Sequence, residues 1–244
     1  MTEKVMIEKK TIRVHTHPGK PRGFRRGRIS NGVAGFSLLE MVIVMALVLI
    51  VSGVTFMSVQ PALRDARVNG AYDNALMLLR TTRERAITER KRYILTFGTP
   101  APAGALITLG APTAKSMQVY RWDTGGPPAP APVQISTLDL PSDIAFQTIS
   151  GIPNSPLTVP DGFGTGITAI DFDQGVGPGG GNLVMFMPDG SAHDLLGNFN
   201  NGVLYLARNG DVDSSKAITL YGNTGRIRGW RLIRLGGVAT WKQQ

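Results

Sequence analysis

Between Phe36 and Met57 the chain carries a single charged residue, Glu40. An apolar run of this length crosses a bilayer once it is helical. Phe36–Val59 would extend for about 36 Å at ~1.5 Å per residue, against a hydrocarbon core of ~30 Å. A carboxylate inside such a segment costs roughly 2.5–3.5 kcal/mol to insert, so it marks a site with a partner. The run itself supplies no cation. Cleavage between Gly35 and Phe36 would create one, an α-amino group one helical turn from Glu40 or on the helix end of a neighbouring copy. A basic segment with Arg22, Arg25, Arg26 and Arg28 lies just upstream. The pattern is that of a leader removed before a hydrophobic segment that is retained.

Other topogenic readings explain less. An ordinary secretory signal has its small-residue cleavage site after the apolar stretch, and Val51-Ser52-Gly53 is a poor one. Arg25-Arg26 lacks the remainder of a twin-arginine context. A plain signal anchor in front of a periplasmic binding domain fits the hydropathy, but it leaves Glu40 without a role.

Gly35, Phe36 and Glu40 resemble the prepilin junction of the type IV pilin and type II secretion pseudopilin superfamily. That junction reads Gly, then Phe, with Glu at the fifth mature residue. The resemblance implies that a membrane prepilin peptidase cuts after Gly35 and methylates the new amine of Phe36. It implies too that Glu40 pairs with the amino terminus of an adjacent subunit during filament assembly. The 35-residue leader is long for the family.

Charge divides at the same junction. Residues 1–35 hold nine Lys/Arg and two Asp/Glu, a net of +7, whereas the remaining 209 residues hold 17 and 15, a net of +2. The leader's basicity is topogenic, keeping its end cytoplasmic. One local excess survives: after Asp213 there is no acid, while Lys216, Arg226, Arg228, Arg231, Arg234 and Lys242 remain. The absence of cysteine excludes disulfides and thiolate metal sites. It also removes the C-terminal disulfide loop of many major pilins, which favours a minor pilin or pseudopilin. His193 is the only histidine outside the leader.

Four segments follow: a leader over 1–35, a transmembrane helix over 36–59, an amphipathic periplasmic helix over 60–92, and a β-rich periplasmic domain over 93–244. In the second helix Val68, Tyr72, Ala75, Leu79 and Ala86 recur at helical spacing, with charges on the other faces. Gly53 and Pro61 predict a kink or local melting between the halves; in the superfamily this region can loosen on filament entry. Short strands are expected at Tyr93–Phe97, Leu106–Leu109, Met117–Trp122, Ile144–Phe146, Leu183–Met187, Val203–Ala207, Ala217–Tyr221 and Gly229–Leu235. The Pro-rich stretch Gly125–Pro132 and the Gly-rich stretch 174–182 read as surface loops. The fold class is α+β and pilin-like, a long N-terminal helix packed on a C-terminal antiparallel β-sheet domain.

Within that domain the segments Leu183–Gly190, Gly202–Leu206, Ala217–Leu220 and Thr224–Arg228 resemble the GspH/FimT branch of minor pseudopilins. In that branch an apolar strand ends in a Pro-x-Gly turn, and the terminal strand begins at Gly-Arg-x-Arg. Residues 98–182 show no such correspondence. Along a strand Arg226 and Arg228 share one face while Ile227 points to the core. Paired guanidinium groups suit phosphate oxygens, with Arg231 and Arg234 extending the patch and Trp230 offering a stacking surface. In FimT-like proteins this segment is associated with DNA binding in natural transformation; in secretion pseudopilins the same arginines cap the domain or contact a neighbour.

Other motifs are bland. Gly162–Gly166 lacks a P-loop lysine. Asn209–Asp213 lacks the distal Glu of a calcium loop and reads as a turn. His193 beside Asp194 has no nucleophile in a local motif. No enzymatic activity, cofactor or metal is expected. The expected protein is a minor pilin or pseudopilin of a type II secretion or type IV pilus filament, held in the bacterial inner membrane by a single pass. Its expected partners are the prepilin peptidase, other pilins or pseudopilins through the N-terminal helix, the inner membrane and, in the alternative reading, DNA.

Overall fold

A computed structural model describes residues 35–97, 101–103, 106–108, 115–123, 132–155, 157–164, 166–172 and 183–244. The expectations for residues 1–34, for most of Gly125–Pro132 and for residues 174–182 fall outside these. The chain divides into two compact units, one ending at Val51 and the other running from Ser52 to Gln244.

The helix α1 covers Leu38–Glu89. Its first turn closes where the Met41 amide donates to the Ser37 carbonyl at 3.1 Å. Glu40 lies in that turn, where the unpaired amides of a helix start favour a negative charge. In the first unit every described side chain is exposed. For a stretch of Leu, Val, Ile and Met, that surface suits lipid or protein, not water.

In the second unit α1 runs as one helix through Gly53 and Pro61, the positions at which the sequence predicts a kink or local melting. Proline removes one donor and crowds the turn before it, yet α1 continues past Pro61 to Glu89. From Val68 a stripe is buried: Val68, Ala71, Tyr72, Ala75, Leu79, Thr82 and Ala86. The steps of three and four residues are those of one helix face. Thr82 fits this apolar stripe because its hydroxyl donates to the Leu78 carbonyl at 2.6 Å.

The strands are β1 (Arg92–Thr96), β2 (Ala101–Ala103), β3 (Leu106–Thr108), β4 (Ser116–Trp122), β5 (Val133–Asp139), β6 (Ile144–Ala145), β7 (Ile170–Asp171), β8 (Leu183–Phe186), β9 (Ala192–His193), β10 (Gly202–Arg208), β11 (Lys216–Tyr221), β12 (Arg226–Leu235) and β13 (Val238–Gln243). Two larger sheets result, ordered β5-β4-β1-β8-β9 and β13-β12-β11-β10-β6, with β7 also on β10 and β2-β3 forming a separate hairpin. Every pairing is antiparallel. Five strands were not foreseen: the short β2, β7 and β9, and the longer β5 and β13. The last two concern the sheet edges. Each is an edge strand with mixed exposure, so neither shows the apolar alternation by which a half-buried strand is recognised.

The main core lies between the α1 stripe and both sheets, where Tyr93, Leu95 and Phe97 meet Leu79, Ala86, Phe186, Leu204, Ile218 and Leu220. Alanines at positions 71, 75 and 86 allow the helix to approach closely. Ile94 points the other way and joins Tyr120, Leu183 and Met185 on the opposite face, so β1 is buried on both sides. A third cluster, with Tyr205, Ala217, Leu232 and Trp241, covers the face of the six-stranded sheet away from α1. The result is α+β: one long N-terminal helix packed against antiparallel sheets.

Candidate functional site

Gly35 and Phe36 precede the first helical turn in non-helical backbone. Phe36 is 72% exposed, and no atom lies within 4 Å of where a Gly35 side chain would begin. Among the described residues nothing covers the junction on its Phe36 side. Glu40 is exposed, and among the described residues it has no ion pair or hydrogen bond.

The terminal arginines lie on β12, whose two-residue period separates them. Arg226, Arg228, Trp230 and Arg234 share one face; Ile227, Gly229 and Arg231 share the other, towards α1. Gly229 confirms this assignment, since a Cβ there would meet the Tyr72 hydroxyl at 1.9 Å. Arg231 therefore does not extend the patch. Its direct cross-strand partner is Lys216, whose ammonium lies 5.2 Å from the centre of the Tyr72 ring and whose pKa burial holds below its usual value.

On the other face most of the charge is already matched. Arg228 donates to Asp161 at 2.7 Å, and the Asp161 side chain is only 5% exposed. Asp161 also accepts from the Thr219 hydroxyl, which itself accepts from the Trp230 indole at 3.1 Å. Arg234 pairs with Asp213 at 2.7 Å. Of the three arginines on this face, Arg226 has no ion pair among the described residues, its guanidinium 4.4 Å from the Tyr221 ring centre. Cation–ring contacts of this kind are worth about 0.5–1 kcal/mol at exposed sites. Asp161 was not a candidate from sequence. It lies 67 positions before Arg228 in a 3-10 turn, with φ of 54°.

Arg83, on α1, joins the two turns that carried the branch resemblance. Its Nε donates to the Gly190 carbonyl and its terminal nitrogen to the Thr224 carbonyl, each at 3.0 Å. Gly225 (φ 59°) fits between them, where a Cβ would meet the Gly190 carbonyl at 1.9 Å and Arg83 Nε at 2.6 Å. The Gly of Gly225-Arg226-Ile227-Arg228 is thus required by packing as well as by backbone conformation.

The weaker motifs have structural roles. Phe163, between Gly162 and Gly164, packs edge-on to Tyr221 with ring centres 4.8 Å apart. Asp211 caps the 3-10 turn Val212–Ser214 and pairs with Arg208. His193 lies on β9, with one ring nitrogen 2.8 Å from Ser191 Oγ and the other 2.8 Å from the Gly197 carbonyl. The Ser191 hydroxyl is directed to Asp189, not poised for attack. Among the described residues no group of His, Asp and Glu is arranged to hold a metal.

The apolar part of α1 is long and apolar enough to cross a membrane, and it opens with one carboxylate, Glu40. Residues 30–56 match the family described as the prokaryotic N-terminal methylation motif, a stretch that contains Gly35, Phe36 and Glu40. The N-terminal segment of the chain is thus of the type IV pilin-like kind. The crystal structure of the type IV minor pilin FimU from Pseudomonas aeruginosa (strain PAO1) is similar at 11% identity. It aligns with 71% of this chain and 92% of that one, with a TM-score of 0.37, too loose a likeness to carry an argument. No curated protein matches the chain.

Proposed function

We propose that this protein is a minor pilin or pseudopilin of the GspH/FimT type. In this reading it is cut between Gly35 and Phe36, methylated on the new amine, and assembled into a filament through α1. The supporting observation is the methylation motif over residues 30–56 with Glu40 inside it, exposed and without a side-chain partner among the described residues. Glu40 then meets the amino terminus of a neighbouring subunit, the one cation available in an apolar layer. The single pass lies in the inner membrane and the β-rich unit in the periplasm. The terminal arginines serve chiefly the domain itself, a role supported by the Arg228–Asp161 and Arg234–Asp213 pairs. The alternative, a FimT-like DNA-binding minor pilin, draws support from the uncommitted charge of Arg226.

Intact-mass measurement of membrane-extracted protein tests the processing step. The chain should start at Phe36 and carry one additional methyl group. An intact leader, or a start beyond residue 50, would overturn the reading. Glu40→Ala should still be cut and retained in the membrane, yet be absent from sheared filaments; normal incorporation would show that the pairing is dispensable.

A further inference from the structure

The structure also holds a cleft of about 560 Å³ at the C-terminal end of α1, lined by Arg90, Lys91, Arg92, Trp122, Met187 and Pro188, with Asp123. None of the terminal arginines lines it. Register accounts for its floor. Arg92 stands directly opposite Trp122 across β1 and β4, and Met187 follows Phe186, which pairs with Tyr93 on the other side of β1. Trp122, Arg92 and Met187 thus form one rung across three strands, on the face away from α1 where Ile94, Tyr120 and Met185 form the next rung. That inner rung is buried, whereas the outer one is only half-buried and opens into the cleft.

The charges in the cleft are unequal in availability. Asp123 is taken by Lys91 at 2.8 Å and Arg121 at 3.2 Å, and the hydrogen bond from Lys91 holds its carboxyl below the usual carboxylate range. Lys91 is thereby neutralised. Arg90 and Arg92 have no ion pair or hydrogen bond from their side chains among the described residues, and neither has the Trp122 indole N–H. Arg90 ends the helix with φ of 53°, a left-handed conformation that is uncommon outside glycine. A helix end attracts cations, which accounts for one arginine there. It does not account for two uncommitted guanidinium groups and an uncommitted indole N–H over an apolar floor.

We propose that this cleft docks an acidic, apolar peptide segment of a partner protein. Its carboxylates bind Arg90 and Arg92, and an apolar side chain rests on Trp122, Met187 and Pro188. Charge complementarity requires an anion, since the uncommitted polar groups are all donors. Arg, Trp and Met are the side chains that protein interfaces concentrate. A nucleic acid is the poorer fit, because the cations form one rim rather than a track and only one ring is available for stacking. The proposal does not depend on the filament reading and is tested without filaments.

The test is fluorescence anisotropy with the full chain in a non-ionic detergent. The probe is a labelled hexapeptide alternating glutamate with leucine and phenylalanine. A glutamine-for-glutamate version and an oligothymidylate serve as competitors. Binding should weaken at least tenfold in R90Q/R92Q and on raising salt. Trp122→Phe, which keeps a ring but loses the N–H, should abolish the ligand-induced change in tryptophan emission. Arg226→Gln, on a separate site, should bind as the parent does, and matched thermal midpoints would exclude unfolding as the cause. Undetectable binding at low salt would overturn the proposal. So would undiminished binding in R90Q/R92Q, an equally effective glutamine peptide, or displacement by oligothymidylate at lower concentration than by peptide.

Discussion

At the scale of single residues, identity and availability are different properties. Arg226 and Arg228 look equivalent in a chain of letters and share a face, but one stacks on Tyr221 while the other neutralises a buried carboxylate. Removing the second leaves Asp161 buried with only hydroxyl support. Arg228→Gln should therefore destabilise the folded unit by about 1–3 kcal/mol. Adding Asp161→Asn should recover part of that loss in a double-mutant cycle read by chemical denaturation. Strict additivity would mean that the pair has no coupling in solution. Arg226→Gln should leave stability within about 0.5 kcal/mol. If the full chain in non-ionic detergent binds duplex DNA, this substitution should flatten the log–log salt dependence by about one unit, the share of one phosphate contact. An unchanged slope would remove Arg226 from any DNA contact.

At the scale of elements, the stripe on α1 and the turns around Arg83 do the joining. Leu79 is 1% exposed in the main core, so Leu79→Ala should cost ~2–5 kcal/mol, the upper end applying if the sheets cannot close on the cavity. A cost below ~1 kcal/mol, measured as a shift in denaturation midpoint, would show that the helix does not pack there. This stripe was legible in the sequence because a helix face repeats every three or four residues, whatever the rest of the chain does. Ala71 and Thr82 escaped because a small residue and a hydroxyl carry little hydrophobic signal; the Leu78 carbonyl makes Thr82 acceptable. Arg83 escaped for another reason. Its two acceptors, the carbonyls of Gly190 and Thr224, are 107 and 141 positions away, and carbonyls have no residue identity to read.

At the scale of the whole molecule, buried tyrosines and hydrogen-bonded carboxylates bound the pH range of stability. Tyr72 and Tyr93 are raised from 10.0 to about 12, both chiefly by burial and Tyr93 also by its bond to Glu89. A raised pKa means that the folded state holds the proton more tightly. Their contribution is intact below pH 10 and is lost as the pH climbs through about 12. At the acid end Asp189, held low by the Ser191 hydroxyl and amide, works in the opposite sense. So does Asp194, where burial pushes the pKa up but bonds from Asn198 and the following backbone outweigh it. Their contribution is present above the ordinary carboxylate value of 3.8 and is lost as the pH falls through their lower folded values. Denaturation midpoints followed by tryptophan emission should therefore form a plateau that falls on both sides, with Tyr72→Phe blunting only the alkaline fall. An alkaline limb unchanged in that variant would contradict the assignment. By itself the sequence determined the apolar span, the lone Glu40, the cleavage-type junction and the buried helix stripe, because each is a local or periodic pattern. Only the tertiary structure decided which arginines are spent, which edge strands close the sheets and where Arg90, Arg92 and Trp122 converge. Those outcomes depend on strand register and on partners tens of residues apart, and a one-residue change of register would turn Arg231 onto the face that Arg228 now occupies.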